Sequence, residues 1–160
     1  MIIKLFEIVR IAGVTLAFFL GYQTGYAGTE YDPVAQLHLM IPMTIFFIAG
    51  LSGIEGLFFG DEAARSKGFE SGSNYQRQSA IALLSYTVIS ILIWALNWGL
   101  KAELTVFFCF MFFFFFSAVN HSVQAIANRN FKFTNVNRPF LVILLIAGFY
   151  SPVVAVLKLL

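Results

Sequence analysis

The sequence predicts an all-α membrane protein: a compact bundle of five transmembrane helices, N-terminus cytoplasmic and C-terminus outside. Three observations carry this reading. Of 160 residues, 59% are hydrophobic and only 11% charged, whereas a soluble domain carries about 25% charged residues. Mean hydropathy is +0.83, with 20 phenylalanines, far more apolar material than one small core can bury. Finally, the apolar residues fall in five segments near the length of about 20 residues that crosses a bilayer. Without water the backbone must satisfy itself, and no alternating strand pattern is present, so the solution is helices.

The first segment runs from about Ile3 to Ala27. Lys4 and Arg10 precede its apolar part, and Ala27-Gly28 has the small residues of a signal-peptide cleavage site. Glu7 inside the would-be basic region argues against that. The expectation is a retained transmembrane helix. The second segment, Pro33 to Gly60, is opened by Asp32-Pro33, an N-cap followed by a first-turn proline. The third, Gln76 to Leu100, has Ser73 or Asn74 as its cap. The fourth runs from Glu103 to Asn128, and the fifth from Pro139 to Leu160, capped by Asn137. Pro42 and Pro152 lie inside spans, where each removes a backbone hydrogen bond, so a bend is expected at both. No linker, repeat or second domain interrupts the chain, which reads as a single transmembrane domain over residues 1–160.

Charge sets the expected orientation. With five spans, one side carries Lys4, Arg10, Arg65, Lys67, Arg77, Arg129, Lys132 and Arg138, and the other only Lys101 and Lys158. The positive-inside rule makes the first side cytoplasmic and places the chain in the cell inner membrane. Trp94 and Trp98, with Tyr22, Tyr26 and Tyr31, then mark the outer interface. Net charge is only +2, so no nucleic-acid partner is predicted. Cys109 is the one cysteine, which excludes a disulfide within the chain.

This topology gathers polar residues near the inner face: Glu7, Arg10, Glu55, Gln76, Gln78, Ser117, Asn120, His121, Gln124 and Asn128. Ser117, His121, Gln124 and Asn128 share one helix face by spacing, and a polar stripe in an apolar helix faces protein or water. An intramembrane charge costs about 2.5–3.5 kcal/mol even on the lenient insertion scale. Glu55 is therefore expected to pair, with Arg10 or His121 within about 6 Å. The candidate ligand- or proton-binding residues are Glu55, His121, Arg10, Gln78, Gln124 and Asn120.

Sharper chemistry finds little support. His38 and His121 fall at opposite ends of their spans, so they do not form one pair of haem ligands. Cys109 is three turns from His121, and a zinc site wants three or four ligands. No metal or cofactor is predicted. Ser71 and Ser73 lie in a loop with no histidine nearby, and Ser117 one turn from His121 is a weak triad signal. The stretch G-F-E-S-G-S lacks the strand–turn–helix order of a phosphate loop. No catalytic residue is assigned. Gly21-x-x-x-Gly25 and the Gly50, Gly53, Gly60 series allow close helix packing. The Phe107–Phe116 run offers an aromatic surface to lipid or to another subunit.

The string F-F-G-D-E-A-A-R-S-K-G-F, then G-S-N-Y-Q, and later N-H-S-V-Q-A-I-A-N-R-N-F-K-F-T-N-V-N-R-P-F resembles a family of small multi-pass bacterial membrane proteins, domain-of-unknown-function family 6790. The likeness covers about residues 45–160. It departs from the family pattern in two places. A Ser-Pro-Phe-Gln turn leading to glutamate is here Ser73-Asn74-Tyr75-Gln76 leading to Gln78, and a histidine beside Glu55 is replaced by Gly56. The resemblance implies a multi-pass membrane protein and no activity.

The function expected from these observations is that of a small non-catalytic membrane subunit in contact with lipid, packing with itself or with a larger membrane complex. A small transporter or channel using Glu55 and His121 is the alternative, and a lipid-acting enzyme with His121 as base is a further one.

Overall fold

A computed structural model describes residues 2–68 and 71–159. Phe69 and Glu70 of the G-F-E-S-G-S stretch, and Leu160 at the expected end of the fifth span, lie outside the described residues. The described residues form helices α1 (Ile2–Gly25), α2 (Pro33–Ile45), α3 (Leu51–Phe58), α4 (Gly60–Lys67), α5 (Asn74–Ala95), α6 (Leu100–Ala127) and α7 (Phe133–Leu157), with no strand among them. Four stretches are long and apolar enough to cross a membrane: Pro33–Phe58, Asn74–Ala95, Leu100–Ala127 and Asn135–Leu157. Together they make the chain a multi-pass membrane protein by length and composition. α1 carries Lys4, Glu7 and Arg10 in its first three turns.

The stretch from α2 to α3 is the central post. Leu37, Met40, Ile41, Ile45 and Ile48 are almost wholly buried, and α2 touches α1, α5, α6 and α7. Asp32 caps it as expected, its Oδ1 accepting from the Val34 and Ala35 amides at 3.0 and 2.9 Å. At Pro42 the chain stays helical. The irregularity takes the form of a π-helical turn over Phe46–Gly50 that joins α2 to α3. A proline cannot supply the i→i−4 bond, and a π-turn is a common way for a helix to absorb such a local mismatch.

α1 lies along α2 through a stripe of small residues. Gly13, Ala17, Gly21 and Gly25 recur every fourth position and are all buried. A Cβ on Gly13 would stand 2.1 Å from Phe47 Cδ1, and one on Gly21 2.0 Å from Met40 Cγ. The glycines are thus the sockets into which side chains of α2 and the π-turn after it seat. In a bilayer, helices associate by this kind of close packing rather than by leaving water.

Two boundaries differ from the sequence reading. Residues 61–68 do not loop between spans. Gly60–Lys67 forms α4, acidic in its first turn (Asp61, Glu62), basic in its last (Arg65, Lys67), and ended by left-handed Gly68, the charge order that suits a helix dipole. The last helix starts at Phe133 rather than at an Asn137 cap, so Pro139 sits inside it. Asn135 explains the early start, since its buried amide is bonded to the turn before it and to the end of α4.

At one end of the bundle, Tyr22, Tyr26 and Tyr31 stack in series with ring centroids 6.5 and 4.7 Å apart. Trp94 and Trp98 are exposed, and Trp94 lies near His38, which joins α2 to the start of α6. The opposite end holds α4 and the polar cluster described next.

Candidate functional site: a cationic cleft closed by α4

Glu55 is the anchor. It sits in α3 at 2% exposure, one turn before the helix ends. Its Oε2 accepts from Arg10 Nη2 of α1 at 2.7 Å. Its Oε1 accepts from Lys67 Nζ of α4 at 2.6 Å. Each carboxylate oxygen thus takes its own cation. The Arg10 contact is one of the two expected from the sequence. His121 does not take the other place, which belongs to Lys67.

Lys67 reaches Glu55 because α4 folds back over the end of α3. Backbone and side-chain bonds together hold that return. Gly68 has φ +74°, and its amide closes the helix onto the Ala64 and Arg65 carbonyls. The Asn130 and Asn135 side-chain amides donate to the Lys67 carbonyl at 2.8 and 3.2 Å. Any residue but glycine at 68 would meet both an unfavourable φ and Asn130 Nδ2 at 2.6 Å. Burial pushes the Lys67 ammonium below the ordinary lysine value of 10.5, with the Glu55 carboxylate working against that shift.

Asn135 is the second hub, 1% exposed. Its Nδ2 also donates to the Asn130 carbonyl at 3.2 Å, and its Oδ1 lies 3.3 Å from His121 Nδ1. One amide therefore joins α4, α6, α7 and the turn between the last two. Arg138, one turn further along α7, donates through Nη1 to Ser117 Oγ at 2.9 Å.

These groups border a cleft of about 400 Å³ between α3, α4, α5, α6 and α7. Lys67, Ser117, Asn120, His121 and Arg138 line it on the polar side, and Leu83 and Phe113 on the apolar side. Lys67 and Arg138 also border a much smaller cavity of about 40 Å³, which Arg10 and Glu7 share. Arg10 and Lys67 thus share the Glu55 carboxylate, and Arg138 stands with them and with Glu7 around this small cavity. Among the described residues, Arg10 Nε is buried without a hydrogen-bond partner.

The remaining sequence candidates separate. Asn120 is exposed but borders the cleft. Gln124 is exposed and bonded to Asn128 Nδ2 at 2.8 Å. Gln78 is exposed on α5, away from the cleft lining. The buried face of α6 runs through Phe114, Ala118, His121 and Ala125, so the expected stripe shares only His121 with it. On a helix each residue turns about 100°, and an offset of one position moves the chain of contacts to another face.

Sequence reasoning missed Lys67, Arg138 and Asn135 as site residues, counting the two cations only towards topology. The signal for Lys67 was present: a short run with acids first, bases last and glycine after is a helix signature. Nothing local marks Asn135. A second buried carboxylate was missed at the other end of the bundle. Glu103, at the start of α6, is 3% exposed. Its Oε1 lies 2.6 Å from His38 Nδ1 of α2, while its Oε2 is buried with no partner among the described residues.

Among the described residues no group of three or more His, Cys, Asp or Glu side chains converges. Comparison with curated proteins and with solved structures finds no match. The model of a family of unknown function, DUF6790, matches residues 8–158, which extends the likeness through α1 and α2 as well as the later helices. A match over nearly the whole chain, on a helical bundle with four apolar spans, settles membership: the chain belongs to family DUF6790.

Proposed function

We propose that the chain is a five-span protein of the cell inner membrane whose role is to bind a ligand in the cleft at its cytoplasmic end. α1 is the fifth span in this reading. Its 24 residues measure about 36 Å at 1.5 Å per residue, more than the roughly 30 Å hydrocarbon core, and its glycine stripe seats it along α2. The eight basic residues of the α4 end against two at the other support a cytoplasmic N-terminus.

One observation favours ligand binding over a purely structural cluster: two cations from two helices share one buried carboxylate, and a third, Arg138, joins Lys67 in the wall of an open cleft. A lock between helices needs one cation per carboxylate, and each extra buried charge is costly. The arrangement suits a small carrier or binding protein better than a passive subunit. His121 borders the cleft while Glu55 does not, so the carboxylate–histidine pair that a lipid-acting enzyme would use is not supported.

Purification from native membranes at low detergent, followed by mass spectrometry of what stays bound, tests this. The expected result is a small molecule or specific lipid retained by the wild type and lost in Arg138→Gln. A stoichiometric partner protein with no retained small molecule overturns it in favour of the assembly reading. That second reading draws on the exposed aromatic face of α6, where Phe112 and Phe116 are 68% and 54% exposed. A dimer or larger species in lipid nanodiscs would support it.

A further inference from the structure

We propose that the cleft is a site for a phosphate-bearing anion, with Arg138 and Lys67 as its charged contacts and Arg10 as the cation behind them. This rests on the cleft being a ligand site and names the chemical class of that ligand.

Charge is the first argument. Arg10, Lys67 and Arg138 against Glu55 leave two positive charges in excess. Glu7 borders the smaller cavity but makes no ion pair among the described residues, and even if it is counted the surplus is one. Uncompensated charge at this depth is expensive, and it is relieved by a counter-anion. Among the described residues the cleft lining has no carboxylate.

Donor supply is the second argument. A guanidinium carries five N–H donors. Arg138 makes one hydrogen bond among the described residues, to Ser117, and Arg10 leaves Nε buried without an acceptor. Arginine's planar fork matches the oxygens of a phosphate, and lysine adds a point charge. Neutral donors complete the wall: the Ser117 hydroxyl, the Asn120 amide, and Ser73 and Gln76 from the start of α5. A lining with many donors and no carboxylate selects an acceptor-rich ligand.

Size and lining agree. About 400 Å³ lies within the range of ordinary small-ligand sites and is more than a bare inorganic anion fills. Leu83 and Phe113 give the cleft an apolar wall beside the cationic one. A phosphate ester carrying some hydrocarbon has that shape, whether it is a lipid headgroup or a soluble phosphate compound.

The test uses the full chain in nanodiscs of phosphatidylcholine. The melting temperature is followed while phosphatidylglycerol replaces part of the lipid, and separately while inorganic phosphate or pyrophosphate is titrated in at constant ionic strength with chloride. A saturable rise with at least one of these probes is expected. Half-saturation should weaken about ten-fold or more in Arg138→Gln, as loss of a charge-assisted contact requires, with Arg138→Lys intermediate. A response to the lipid alone assigns a headgroup, and a response to phosphate or pyrophosphate alone assigns a soluble ester. No saturable response of the wild type to any probe overturns the proposal, as does an unchanged response in folded Arg138→Gln. If Arg138→Gln does not fold, Asn120→Leu, which alters an exposed cleft residue, takes its place under the same criterion. A neutral molecule co-purified by the wild type, with no response to anions, overturns the anion and leaves the cleft as a ligand site.

Discussion

Lys67 Nζ lies 2.6 Å from Glu55 Oε1 across the corner between α3 and α4, and this contact ties a short amphipathic helix to the end of the bundle. Without it α4 would be a charged surface turn. With it, the end of α3, the start of α1 and the α6–α7 turn are tied to one carboxylate.

Removing that carboxylate is the most damaging single change at the site. Glu55→Gln leaves Arg10 and Lys67 partly buried without their shared anion. The expected loss is about 3–5 kcal/mol, the usual cost of breaking a buried pair from one side. The double variant Glu55→Gln/Lys67→Met should recover part of it, because one orphaned charge is gone. Thermal melts of both variants in the same detergent check this. Equal melting temperatures for the two would show that Lys67 and Glu55 are not coupled.

Asn135→Leu should open the return of α4. It removes the donors to the Lys67 and Asn130 carbonyls and the contact with His121. Leaving such groups unsatisfied costs about 1–3 kcal/mol. Limited trypsin digestion should cut faster after Arg65 or Lys67 than in the wild type, with cleavage elsewhere little changed.

The α1–α2 contact predicts a sharp positional contrast between glycines. Gly21→Val places side-chain atoms where Met40 now sits, and overpacking of this kind costs about 1–3 kcal/mol. Gly28→Ala meets nothing nearer than 3.6 Å and should leave the melting temperature almost unchanged. Similar effects of the two changes would mean that α1 does not pack along α2 in this register.

Lys67 also predicts a pH dependence. Its folded pKa lies below 10.5, chiefly through burial, with Arg138 and Arg10 adding to the shift and Glu55 opposing it. Between the folded pKa and 10.5, the unfolded chain holds a proton that the folded chain has released. Stability from this group therefore rises with pH across that window. The melting temperature of the wild type relative to Lys67→Met should increase as pH is raised through the alkaline range. A relative decrease would contradict the burial.

Orientation is checked by single-cysteine labelling in a background where Cys109 is replaced. A cysteine at Ser71 should react only from the cytoplasmic side, and one at Lys158 only from the outside. A cysteine at Lys4 should react from the Ser71 side and one at Glu30, beyond α1, from the Lys158 side; Lys4 and Glu30 reacting from the same side would remove α1 as a span.

Much of the fold was readable in advance, and for a local reason. Asp32-Pro33 marks a helix start by its own hydrogen bonding and fixed φ, so the second span began where expected. Span lengths follow from runs of apolar residues and need no partner to be recognised. The fifth helix was misjudged because Asn137 followed by Arg138-Pro139 has the local form of a cap, while Asn135 draws the helix start back through bonds to distant carbonyls. The site was half readable. Glu55 needed a cation because of its depth alone, and Arg10 lay at the matching depth of the first helix.

By itself, then, the sequence determined that this is a multi-pass helical protein, where its apolar helices run, and that Glu55 must be neutralised. Each of these depends on a residue's own chemistry or on neighbours along the chain. Only the tertiary structure decided that Lys67 shares Glu55 with Arg10, that Arg138 and Lys67 border one cleft, and that α6 turns His121 inward while Gln124 stays exposed. Those outcomes depend on how each helix is rotated about its axis, and a rotation of about 100° per residue is fixed by packing against other helices, such as the glycine stripe of α1 and the bonds of Asn135.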